Sequence, residues 1–110
     1  MNSLCAAERA ALDQLVAWVR RRFGARVVEL TLFGSRARGE GDEDSDLDVL
    51  VAIDDVTSGE AREIAHLCGD LLTEHDVVVS PLVLATARLE ELRRRERLIA
   101  REIRRDGVQL

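Results

Sequence analysis

Asp46 and Asp48, in Ser45-Asp46-Leu47-Asp48-Val49-Leu50-Val51, are two carboxylates placed two residues apart at the head of an apolar run. From Asp46 onward, Leu47, Val49, Val51 and Ile53 alternate with Asp46, Asp48, Leu50 and Ala52, which is the period-two pattern of a strand. Residues two apart on a strand project from the same face, so both carboxylates point one way. Like charges that close favour protonation unless a cation lies between them, and a divalent metal is the natural compensation. Oxygen-only ligands suit hard ions, Mg²⁺ or Mn²⁺ rather than zinc.

A second group precedes these carboxylates. The apolar run Val27 to Phe33, with Val28, Leu30 and Leu32 on one face, ends in Gly34-Ser35. Glycine at a strand end lets backbone amides approach an anion, and the serine hydroxyl adds a donor, so the turn suits a phosphate. Taken alone, Gly-Ser is an ordinary turn; its closeness to the acidic strand is what favours phosphate chemistry. Two other motifs fail at named residues. Gly34-x4-Gly39 starts like a P-loop but continues Glu40-Gly41, without the lysine. An EF-hand counted from Asp42 would need Gly and Glu where Leu47 and Ile53 stand.

Gly34-Ser35-Arg36-Ala37-Arg38-Gly39 followed by Ser45-Asp46-Leu47-Asp48 resembles the GSxARG and SDxD signature of the minimal nucleotidyltransferases, small relatives of the DNA polymerase β superfamily. The resemblance implies an α/β (α+β) polymerase β-like fold, a small mixed sheet flanked by helices. It also implies two Mg²⁺ ions, with Mn²⁺ as a substitute, and transfer of a nucleoside monophosphate, AMP from ATP, to a hydroxyl acceptor. By the same resemblance Asp46 and Asp48 bridge both ions, the Gly34 amide and Ser35 hold the terminal phosphates, Arg38 contacts phosphate or partner, and Ser45 orients Asp46. Arg36 occupies the motif's variable position. The family uses a third carboxylate on a later strand, and the candidate is Asp76 in His75-Asp76-Val77-Val78-Val79-Ser80-Pro81, placed by this reading on one strand face with Val78 and Ser80. Many members are antitoxins of HEPN/MNT toxin-antitoxin pairs, so a HEPN-type toxin or a second copy of the chain is the expected partner. The alternative is a non-catalytic antitoxin that neutralises its partner by complex formation.

The elements that must position these groups follow an α-β-β-α-β-α plan. Leu4, Leu12, Leu15, Val16, Val19 and Phe23 recur at helical spacing, with Ser3 as cap and Gly24 beyond the end. Thr57 and Glu60 form a capping box for a second helix whose apolar face is Ala61, Ile64, Ala65, Cys68, Leu71 and Leu72, leaving His66 in solvent. A third helix is expected from Thr86 to about Arg105, with Leu89, Leu92, Ile99 and Ile103 as a stripe interrupted by Glu96. Its many arginines either dock an acidic partner or a nucleic acid, or form a solvated face laced with glutamates, and the i, i+4 spacings favour the solvated face. Val108 to Leu110 could add a short strand.

With 110 residues, one domain over 1–110 is expected. Hydrophobic content of 46% with 34% charged residues fits a folded soluble chain, and nothing approaches a membrane span or a signal peptide, so a cytoplasmic location is expected. Cys5 and Cys68 are too few for a disulfide framework or a zinc site. Net charge is −5 although every basic residue is arginine, and aromatics make up only 3% without any tyrosine. Nucleic acid is therefore disfavoured as the main partner, and self-modification on tyrosine is excluded.

Overall fold

The computed structural model describes residues 4–39, 46–95 and 98–110. Helix α1 (Ala6–Phe23) leads through a single 3-10 turn (Gly24–Arg26) into β1 (Val27–Phe33). Strand β2 (Leu47–Ile53), helix α2 (Ser58–His75) and β3 (Val79–Ala85) follow, then α3 (Thr86–Arg94), α4 (Leu98–Asp106) and the short β4 (Val108–Gln109). The sheet order is β3-β2-β1-β4; β1 runs antiparallel to both β2 and β4, and β2 runs parallel to β3. Together these elements form the mixed sheet flanked by helices that the resemblance implies. Among the described residues, no helix is long and apolar enough to cross a membrane.

Both sheet faces are covered. Leu30 and Leu32 of β1 join Leu47, Val49, Val51 and Ile53 of β2 and pack on the apolar stripes of α1 and α2. On the opposite face Phe33, Leu50 and Ala52 meet Leu89 of α3 and Ile103 of α4. Asp46 and Asp48 alternate with Leu47 and Val49, so they share this second face. Val28 does not join Leu30 and Leu32 as the alternation suggests. The register slips between Val27 and Glu29, and the bulge leaves Val28 half exposed.

Helix starts follow local chemistry. The Thr57–Glu60 capping box is present: the Glu60 N–H donates to Thr57 Oγ1 (3.1 Å) and the Thr57 N–H to Glu60 Oε1 (3.0 Å). On α2 the buried residues are Ile64, Leu67, Cys68 and Leu71. Leu67 replaces Leu72, which lies half exposed, and His66 is exposed as expected. The first helix is capped at Cys5, whose N–H donates to Glu8 Oε1 (2.9 Å), while Ser3 lies outside the described residues.

The expected helix from Thr86 to Arg105 is two helices. In one continuous helix Leu89 and Ile103 would lie about 21 Å apart along the axis. Here they converge on one small apolar patch, which requires the chain to turn between them. The expected interruption at Glu96 lies outside the described residues. Of the arginines of this region, Arg88 and Arg95 pair with Glu91 along the chain, and Arg93 reaches Glu29 of β1.

A further tie holds α2 to the strand entry. Arg26 clamps Glu60 (2.8 Å) and holds its carboxyl down to about 2. A carboxyl lowered on folding contributes stability above its unfolded value and loses it as pH falls. In urea unfolding, wild type should therefore weaken more steeply than Glu60→Gln between about pH 4.5 and 2. Parallel acid limbs for the two proteins would contradict this.

Candidate active site

The register of β1 and β2 builds the site. Phe33, the last residue of β1, pairs with Asp48, so the Gly34 turn emerges beside the acidic head of β2. Gly34 has φ +80°, and a Cβ placed there would lie 2.5 Å from Asp48 Oδ2. The carboxylate is seated directly against the glycine, an approach that any side chain would block. From Gly34 to Gly39 the chain makes a tight turn, with the Arg38 N–H donating to the Gly34 carbonyl (3.3 Å).

Two arginines leave this turn in different directions. Arg36 runs inward and is 2% exposed; its Nη2 donates to Glu8 Oε1 at 2.7 Å. Burial alone would raise the Glu8 carboxyl, but the Arg36 bond and the Cys5 amide outweigh it and hold the group below the ordinary carboxylate range. The sequence reading missed this pair, although a signal existed. Glu8 lies four residues from both Leu4 and Leu12, on the apolar stripe of α1, where an acid needs a buried partner. Arg38 stays nearer the surface and sits 3.6 Å from Asp106 at the end of α4.

At the mouth of β2, Asp46 is exposed and Asp48 half-buried. Burial first, and the neighbouring Asp46 charge second, push the Asp48 carboxyl above its ordinary range. This is the electrostatic stress that the i, i+2 spacing implies, and a hard cation beside both oxygens would relieve it. The donor set therefore fits a divalent ion held by two carboxylates.

Asp76 is not on β3. It caps the C-terminus of α2 in the left-handed conformation (φ 56°, ψ 38°), three residues before Val79, where the strand begins. Strand alternation thus does not put it on the face of Asp46 and Asp48. Residue 80 does occupy that face. Ser80 pairs in register with Asp48, and its hydroxyl donates to Asp46 Oδ2 at 3.0 Å. Among the described residues, no three His, Cys, Asp or Glu side chains converge as a metal cluster. Ser45 lies outside the described residues.

A glycine turn and a two-carboxylate strand thus meet at one end of the sheet. The chain matches the nucleotidyltransferase domain family over residues 12–105 and belongs to it. It is 33% identical over 76 residues to a Methanocaldococcus jannaschii protein provisionally named as a protein adenylyltransferase, an alignment covering 69% of this chain and 72% of that protein. A solved structure provisionally described as a minimal nucleotidyltransferase superposes with TM-score 0.62 at 28% identity, over 93% of this chain and 91% of that one. A toxin-antitoxin crystal structure with AMP-PNP shares the fold, with TM-score 0.59 at 21% identity over 88% of this chain and 70% of that one.

Proposed function

We propose that this nucleotidyltransferase moves AMP from ATP to a hydroxyl on a partner protein. The observation that carries the reading is the seating of Asp48 against Gly34, which puts a carboxylate pair and a phosphate-accepting turn in one place. The provisional adenylyltransferase name of the M. jannaschii relative supports AMP as the transferred group. A neighbour of the same fold is a toxin-antitoxin structure with AMP-PNP, which supports a toxin as the acceptor; its HEPN type is taken from the resemblance of the sequence motifs alone.

In this reading the acceptor oxygen attacks the α-phosphorus in line, the α–β bridging bond breaks, and pyrophosphate leaves. Asp46 and Asp48 would hold the divalent cations, Mg²⁺ or Mn²⁺, which when bound would offset charge on the triphosphate and the leaving group. The Gly34 amide and Ser35 hydroxyl receive the β- and γ-phosphates. Arg38 adds positive charge at the rim, shared with Asp106. The reaction runs in the cytoplasm, within one catalytic domain spanning 1–110.

The test is transfer of label from [α-³²P]ATP, with Mg²⁺, to the protein encoded by the neighbouring reading frame. Wild type should label it, whereas [γ-³²P]ATP and the Asp46→Asn and Asp48→Asn variants should not. Asp48→Asn should also raise the melting temperature of the metal-free protein at neutral pH. Stability associated with a raised carboxyl falls as pH climbs past the ordinary carboxylate range, and the amide removes that cost. A tight complex without label from any NTP would instead support the binding-module reading.

A further inference from the structure

We propose that Ser80 is the positioning residue that completes the carboxylate face, and that Asp76 takes no part in it. This rests on the nucleotidyltransferase reading above and names a residue within its site. Asp46 stands just before β2 and is exposed, so little from its own strand fixes its side chain. Ser80, in contrast, is fixed by the sheet. The Leu47 N–H donates to the Val78 carbonyl (3.0 Å), which turns the polar groups of even-numbered β3 residues toward β2. Odd-numbered residues face the free edge, where Pro81 has no N–H to satisfy. Ser80 is thus locked opposite Asp48 by its backbone, and its hydroxyl reaches across to Asp46.

This arrangement has a chemical consequence. A hydroxyl bonded to Asp46 keeps acceptor capacity that can face a cation, but it adds no negative charge. Cation affinity rises with the number of charged ligands, so the two carboxylates and one hydroxyl found here among the described residues hold a divalent ion more weakly than three carboxylates would. The triphosphate must then supply much of the remaining charge. The inferred result is a site that loads cation and nucleotide together, not one that keeps a resident metal.

Mn²⁺ binding followed by electron paramagnetic resonance, with and without ATP, tests this. Wild type should bind Mn²⁺ weakly alone and far more tightly with ATP. Ser80→Ala should weaken Mn²⁺·ATP binding by about tenfold, the usual scale for losing a group that orients a metal ligand, at an unchanged melting temperature. Ser80→Thr, which keeps the hydroxyl, should restore it. Ser80→Asp should tighten binding of Mn²⁺ alone by about tenfold or more. Asp76→Asn should stay within about twofold of wild type. Weakening by Asp76→Asn, or unchanged binding in both Ser80→Ala and Ser80→Asp, would overturn the assignment while leaving the nucleotidyltransferase reading in place. Unchanged Mn²⁺·ATP binding in the Asp46→Asn/Asp48→Asn double variant would instead remove both.

Discussion

Glu8→Gln should destabilise the protein by about 3–5 kcal/mol, because it breaks a buried ion pair by removing one of its two partners. The side chains are 4% and 2% exposed, so water cannot take over for the lost carboxylate. Against a total stability of about 5–15 kcal/mol, that loss should leave the variant partly unfolded at 37 °C. Urea unfolding by circular dichroism gives the value directly. The double variant Glu8→Leu/Arg36→Met separates charge isolation from lost packing. Replacing both partners with apolar groups of similar size is often neutral or stabilising, so it should recover most of the stability. It should not recover activity in full, since Arg36 anchors the turn that carries Gly34 and Ser35. A loss of less than about 1 kcal/mol for Glu8→Gln would mean that the Arg36 charge does not depend on Glu8 for its compensation.

Gly34→Ala should reduce AMP transfer by about a hundredfold or more, the scale of misplacing a catalytic group by around 1 Å. Its Cβ would stand 2.5 Å from Asp48 Oδ2, so either the carboxylate swings away or the turn backs off. The positive φ adds a backbone cost of about 1–2 kcal/mol for any L side chain. Gly39→Ala is the matched control. Gly39 has a similar φ of +78°, but a Cβ there meets none of the described residues within 4 Å. Both variants should lose comparable stability, and only Gly34→Ala should lose activity. Equal loss of activity in the two would mean that turn strain, not the approach to Asp48, limits the site.

Much of this protein is legible because its chemistry is local. The Asp46–Asp48 face needs only strand alternation, and the Thr57–Glu60 cap lies within one helical turn. The Gly34-Ser35 turn is likewise contained in adjacent residues. Helix ends and breaks were less legible. Whether Thr86 to Arg105 makes one helix or two depends on the size of the apolar patch beneath it, which no window of sequence displays.

What the sequence by itself determined is the nucleotidyltransferase class, carried by two short motifs whose internal geometry follows from spacing. The tertiary structure alone decided which distant groups complete them. Arg36, in the motif's variable position, serves a glutamate 28 residues earlier on α1. Asp76 lies off β3 because α2 runs on to His75 and the strand begins only at Val79. The parallel register then sets Ser80, not Asp76, opposite Asp48. Register and helix length arise from packing across the whole sheet, and one residue of slip would turn every β3 side chain to the other face.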